Sequence, residues 1–408
     1  MNTSKCPALD LTAATTSPDL ASAYAAARDL HGDVAPGVPL GGYDWWAVIG
    51  YEAVRRAALD NAHLTTSHGA TIPPLKTEVA IPIELDPPNH MKYRRCLVPE
   101  LRPDRVTSWR DHIRTAVDNV IDGFIESGQG DLVRIARHVP PAVIAAIMGV
   151  PDDGPMMVHL TDQINRAAMA GDREQQVAAN RDLMAYLERV VTDAEGTDRT
   201  DLLSQIANAT IDGSTISHEE AVAMSMTVVL AGQETTVNGI SGILSILATQ
   251  PDIKRTLLDQ PELLATAVEE ALRLESPIQM MGRTATEDHT VEGCPVAAGD
   301  KVGIVWGAAN LDPAKFEEPG TFRLDRGPIP HVAFGHGAHR CVGEHLARLE
   351  MTIATEQVLA RIPDFTVAGP IERGTSIAIS RGVVSLPVTF TPGARSTTGA
   401  ELSDGGRL

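Results

Sequence analysis

His331-Val-Ala-Phe-Gly-His-Gly-Ala-His-Arg-Cys-Val-Gly343 is the stretch on which the reading of this chain turns. It sets one cysteine, Cys341, at the end of a glycine-rich turn. Glu344 to Leu359 follows as a helix, with apolar residues at Leu346, Leu349, Ile353 and Val358. A sulfur at a helix N-terminus meets unpaired backbone N–H groups and the positive end of the dipole. That setting favours thiolate over thiol. Gly335, Gly337 and Gly343 allow φ > 0 or a close approach to a flat ligand. An isolated cysteine before a helix is ordinarily a buried structural thiol. The longer pattern Phe-x-x-Gly-x-x-x-Cys-x-Gly suits a sulfur held rigidly under a planar metal cofactor.

Two further motifs lie upstream. Ser217-His-Glu-Glu220 is a capping box. The helix it opens meets no proline until Pro251, which at 1.5 Å per residue gives roughly 50 Å. Between Ala221 and Gln250 its only charged residue is Glu234. A membrane span would look similar. The polar cluster Gln233, Glu234, Thr235, Thr236 and Asn238, with no basic flanks, fits a central buried helix instead. Gly232 lies mid-helix, where glycine costs about 1 kcal/mol against alanine. A flat ligand against Ala231 and Gly232 would account for it, as would close helix packing. Thr235 could loosen the helix by bonding its own backbone. The second motif is Glu270-Ala-Leu-Arg273, opposite charges at i, i+3, which alone reads as a surface ion pair.

With these three motifs in order, the chain resembles the cytochrome P-450 family of haem-thiolate monooxygenases, over roughly residues 40–392. The resemblance implies a mostly α (α+β) fold, with small β-sheets and a long central helix over the haem. Cys341 would be the axial iron ligand, in a loop of Phe334, Gly335, Gly337, His339 and Gly343. Glu234 and Thr235 would deliver protons to activated dioxygen beside Ala231 and Gly232. Glu270 and Arg273 would lock the core structurally. His90, Arg94, Arg283 and His339 match positions that hold the haem propionates. Thr227, Leu230, Ile278, Gln279 and Ile379 would line the substrate pocket. The loop 71–85, with Ile81 and Ile83, would form its lid, and Gln279 would be the one polar anchor. The lid region looks similar to camphor-type bacterial enzymes, which implies a small, terpenoid-like substrate. Haem b, dioxygen and NAD(P)H would be needed, the last acting through an acidic ferredoxin and its reductase. A peroxide-using haem-thiolate enzyme is a rival, as is a non-enzymatic haem-thiolate sensor; neither has a use for the Glu234–Thr235 pair.

The 408 residues suffice for one large domain, and the 43% apolar content for a substantial core. The reading divides them into an arm at 1–40 packed on the surface, the catalytic domain at 41–392, and a disordered tail at 393–408. A net charge of −19 argues against nucleic-acid or anionic-lipid partners. The four cysteines show no zinc spacing, and the N-terminus has no apolar run, so a cytoplasmic monomer with no membrane anchor is expected. The absence of a GxGxxG signature places the reductant on another chain. From Met91 to Thr115, seven basic residues stand against three acidic ones, a local excess of four. With most of these cations free, that segment would dock the acidic ferredoxin on the cysteine side.

Overall fold

A computed structural model describes residues 8–74, 79–170, 172–374 and 380–396, except the side chains of 165 and 168–170. The chain folds as helices packed around one central helix, His218–Thr249. Its capping box is formed: the Ser217 hydroxyl accepts from the Glu220 N–H, and the Glu220 carboxylate accepts from the Ser217 N–H. The helix is apolar around most of its circumference and lies in the largest core cluster. Among the described residues, no helix is long and apolar enough to cross a membrane. Helices Val133–Ile147, Arg173–Ala194 and Glu344–Arg361 pack against it, Gly154–Ala170 touches it, and Arg110–Asp122 packs on Val133–Ile147 and Glu344–Arg361.

The main sheet has five short strands, in the order Val34–Pro36, Trp45–Val48, Lys301–Ile304, Met281–Ala285 and Leu64–Thr65. Trp45–Val48 and Lys301–Ile304 run parallel, and the other pairs are antiparallel. The described part of 1–40 does not behave as a surface arm. Leu9, Leu11, Leu20, Tyr24 and Ala35 are buried with Trp45, Met280 and Val305 in a second core cluster. The reason is its sequence: Leu20–His31 is an amphipathic helix, and Val34–Pro36 supplies an edge strand. At the other end, Gly393 and Ser396 bond to Ile125 and Asp122, so the start of the expected tail is docked. Residues 397–408 lie outside the described residues.

Candidate active site

The cysteine loop is built by backbone bonds. The Cys341 N–H donates to the Phe334 carbonyl at 2.8 Å, and the Gly335 N–H to that of Val332 at 2.9 Å. Gly335 and Gly337 take φ of 74° and 75°, where a side chain is strained. A Cβ on Gly337 would lie 2.9 Å from the Ala58 carbonyl oxygen, so this glycine also lets the loop press on helix Tyr51–Leu59. Gly343 differs from expectation: its φ is −88°, which any residue adopts. Its use is space, since its missing Cβ would face the Cys341 sulfur at 3.9 Å.

Cys341 has exposed surface although it sits deep among packed groups. Burial pushes its thiol up, more than the Gly343 N–H, Arg94 and Arg348 together lower it, and Glu344 adds to the rise. The helix N-terminus alone does not ionise this sulfur; a bound metal cation would.

Around Phe334 lies a network that sequence reasoning missed. The Arg348 guanidinium stacks 4.4 Å from the Phe334 ring and donates to Glu269 at 2.6 and 3.1 Å and to Glu344 at 2.8 Å. His331, at the start of the loop, faces Glu269 at 2.9 Å. Burial alone would raise the Glu269 carboxyl, but His331 and Arg348 hold it at about 2. No local pattern joins residues 269, 331 and 348, so the sequence offered no signal.

Four donors gather beside the loop. The His90 and His339 rings are 4.3 Å apart, and Arg94 and Arg283 flank them electrostatically. Arg283 is 3% exposed, and burial lowers it to about 10, which leaves it charged at neutral pH. Burial and the neighbouring cations lower His90 and push His339 down to about 3. His90 Nδ1 and His339 Nε2 are buried without partners. Two charged guanidiniums and two neutral imidazoles with orphaned nitrogens suit a buried dianion such as a pair of propionates. Asp86, the acid nearest them in charge, is already occupied: Thr65, Thr66 and Ser67 hold it below the usual range although burial alone would raise it. It accepts from the Thr66 N–H at 2.9 Å, and its side chain does not cap helix Asn89–Leu101.

In the central helix, Ala231 is the one exposed residue between 221 and 248. That small patch fits a flat ligand lying against it. Gly232 faces elsewhere: a Cβ there would lie 2.7 Å from Ile144 Cδ1 on helix Val133–Ile147. Helix packing, not the ligand, requires this glycine. The Thr235 hydroxyl donates to the Ala231 carbonyl at 2.8 Å, and the helix runs unbroken, so it does not open here. Glu234 lies beside Arg137, Asp162 and Arg166 along a cleft between this helix and its neighbours.

Glu270 and Arg273 are both fully buried, not a surface pair. They form two bonds of 2.7 Å, and Arg273 also donates to the carbonyls of Asn310, Pro319 and Thr321. Arg326 adds a 2.8 Å bond to Glu270.

The pocket candidates divide. Ile278 and Ile83 are half-buried, as is Leu230, while Ile81 is buried in the large core. Thr227 donates its hydroxyl to Ala223. Gln279 is no polar anchor: it is fully buried, accepts from the Tyr24 hydroxyl at 2.8 Å, and donates to the Glu275 and Ser276 carbonyls. Its whole amide is spent on structure. Ile379 lies outside the described residues, as do 75–78 of the expected lid. The lid's ends are tied by Glu84, which accepts from the Ala70 and Ala80 N–H groups.

The basic segment also departs from expectation. Lys92 pairs with Asp212, Arg102 with Asp104, Arg105 with Glu100, and Arg110 and Arg114 with Glu356. Arg340 pairs with Glu344. Most of these cations are neutralised where they stand.

Residues 160–368 match the family model described as Cytochrome P450. The chain is similar to a steroid C26-monooxygenase of Mycolicibacterium smegmatis, 34% identical over 356 residues, covering 85% of this chain and 88% of the relative. It is 32% identical to the mycinamicin IV hydroxylase/epoxidase of Micromonospora griseorubida, covering 86% and 90%. Its fold is similar to the crystal structure of CYP108D1 from Novosphingobium aromaticivorans, with a TM-score of 0.82, 30% identity, and coverage of 93% and 96%.

Proposed function

The chain belongs to the cytochrome P450 family, and from that premise we propose that it hydroxylates an apolar, terpenoid-like molecule, a class broad enough to include the steroid skeleton named for one relative. Members of the family are haem-dependent oxidoreductases that use dioxygen and, through redox partners, NAD(P)H. We infer that the reducing electrons come from a separate ferredoxin and that the protein works as a monomer in a reducing cytoplasm.

The observation that carries the substrate class is the commitment of the two polar pocket candidates. Gln279 and the Thr227 hydroxyl are both spent within the protein, which leaves Ile83, Leu230, Ala231 and Ile278 as apolar surface. A ligand there gains by burying hydrocarbon and finds no fixed partner for a polar group.

Haem b, when bound through the Cys341 sulfur, supplies the oxygen activation and the electron-rich thiolate push. The remaining roles belong to the chain. Arg94 and Arg283 would hold the anionic edge of the group, and the unpartnered ring nitrogens of His90 and His339, as N–H groups, would donate to it. Gly335 and Gly337 fix the loop that aims the sulfur. Thr235 keeps its hydroxyl proton on the Ala231 carbonyl and offers its oxygen as an acceptor; turning away from that carbonyl would free the hydroxyl to donate. We infer that Glu234, beside the cleft of Arg137 and Arg166, exchanges protons between that cleft and Thr235, its neighbour in the chain. Dioxygen-dependent work needs this relay, whereas peroxide brings its own protons, so the pair supports the monooxygenase over its rivals.

The test is turnover of the haem-loaded protein with NADH, a ferredoxin and its reductase, against terpenoid and steroid panels first screened for substrate-induced haem shifts. Hydroxylated product supports the proposal. Turnover with peroxide alone, or shifts only with polar ligands, refutes it.

A further inference from the structure

Away from the cysteine loop, three side chains converge that this chemistry leaves unused. Asp60 ends helix Tyr51–Leu59, His63 follows in the turn, and His289 opens strand His289–Val291. One donor atom from each lies within 4.8 Å of the other two. Asp60 Oδ1 is 2.8 Å from His63 Nδ1, and Asp60 Oδ2 is 3.5 Å from His289 Nε2. The two imidazole rings stack at 4.8 Å with an interplanar angle of 12°.

Hydrogen bonding alone leaves this group incompletely satisfied. Asp60 is engaged by the His63 ring and the His63 N–H. That places His289 Nε2 at 3.5 Å, with its Nδ1 buried and without a partner. One carboxylate between two stacked rings satisfies one of them. A cation between the three donors would take up His63 Nδ1, His289 Nε2 and the carboxylate together, while His289 Nδ1 lies on the other side of its ring.

We propose that Asp60, His63 and His289 form an accessory site for a zinc-like divalent metal ion. Zinc takes imidazole and carboxylate donors at about 2.0–2.2 Å in a tetrahedral shell, which sets them roughly 3.3 Å apart. The two carboxylate–imidazole spacings of 2.8 and 3.5 Å bracket that value, and the two rings, now nearly parallel, would have to tilt towards each other to converge on one ion. Magnesium and calcium prefer all-oxygen shells and fit two imidazoles poorly. Water fills the fourth position. His63 Nε2 points at Glu287 Oε1, 3.6 Å away, the outer carboxylate that metal-bound histidines commonly have. The scaffold is fixed beforehand: the Thr286 N–H donates to the His63 carbonyl at 2.9 Å, and the Leu64 N–H to that of Asp60 at 3.1 Å. The ion would pin the end of helix Tyr51–Leu59, whose Ala58 supports Gly337 of the cysteine loop, to strand His289–Val291.

The haem-loaded full chain, stripped of loose metal, is titrated with Zn²⁺ against a chromophoric chelator. Wild type, Cys294→Ser and His138→Ala should each hold one equivalent, and Zn²⁺ should raise their thermal midpoints. His63→Ala and Asp60→Asn should lose both the equivalent and the shift while keeping the wild-type haem spectrum. His63 is 41% exposed, so its replacement leaves the core intact and decides the matter even if Asp60→Asn folds poorly. No equivalent bound by wild type overturns the proposal. So does an equivalent that survives in His63→Ala or disappears in Cys294→Ser.

Discussion

At His90 and His339, burial and neighbouring guanidiniums keep two imidazoles neutral, and each has one orphaned nitrogen. A pocket of this kind is most stable with an anion in it. Replacing both His90 and Arg94 by Ala should leave carboxylates without buried donors, at about 1–3 kcal/mol for each lost bond. Haem occupancy on purification should fall well below that of wild type, as read from the ratio of haem to protein absorbance. At Glu269 the argument concerns pH. The folded carboxyl titrates near 2 against 4.5 unfolded, so its stabilisation is complete above about 4.5 and is lost as the pH falls towards 2. The stability gap between wild type and Glu269→Gln should be constant through neutral pH and narrow below about 4.5 in urea melts. His90, Arg94, His339 and Cys341 could be named from the sequence because each sits in a local motif. Glu269, His331 and Arg348 could not, because their bonds close loops of 62 and 79 residues.

The central helix shows the same division one level up. Its start was legible in Ser217-His-Glu-Glu220, and its burial in the scarcity of charge between 221 and 250. What each small residue faces was not legible, because that depends on which helix packs where. Ala231 presents open surface, whereas its neighbour Gly232 is filled by Ile144. Gly232→Ala gains about 1 kcal/mol of helix propensity and loses 1–3 kcal/mol to overpacking, a net destabilisation of about 1 kcal/mol. Ile144→Val removes the offending Cδ1. In that background, the same Gly232→Ala change should be neutral or stabilising, so a double-mutant cycle of unfolding free energies should show clear coupling.

Over the whole molecule, charge balance is decided by contacts that composition does not reveal. The basic run 91–115 is offset by Asp212 and Glu356, far off in sequence, as well as by Glu100 and Asp104 within it. Among the described residues of that run, Arg95 is exposed and has no ion pair. Arg95→Glu should therefore slow reduction by an acidic ferredoxin, with an effect that fades as salt rises and no change in thermal midpoint. Arg105→Glu should do the reverse. It leaves the nearly buried Glu100 facing a like charge, so the melting temperature drops while ferredoxin kinetics change little. Stopped-flow reduction and thermal melts on both variants separate the two effects.

The bond between the Tyr24 hydroxyl and Gln279 joins residues 255 positions apart. On a ribosome adding about 5–20 residues per second, Tyr24 emerges roughly 13 to 50 seconds before the amide it must meet. During that interval Leu11, Leu20 and Tyr24 have no sheet to lie against, since Met280, Lys301–Ile304 and Val305 are still unmade. These early residues thus find their place only after much later ones are made. For that time, the nascent chain carries the unpartnered apolar side chains of Leu11, Leu20 and Tyr24, which a chaperone has reason to hold.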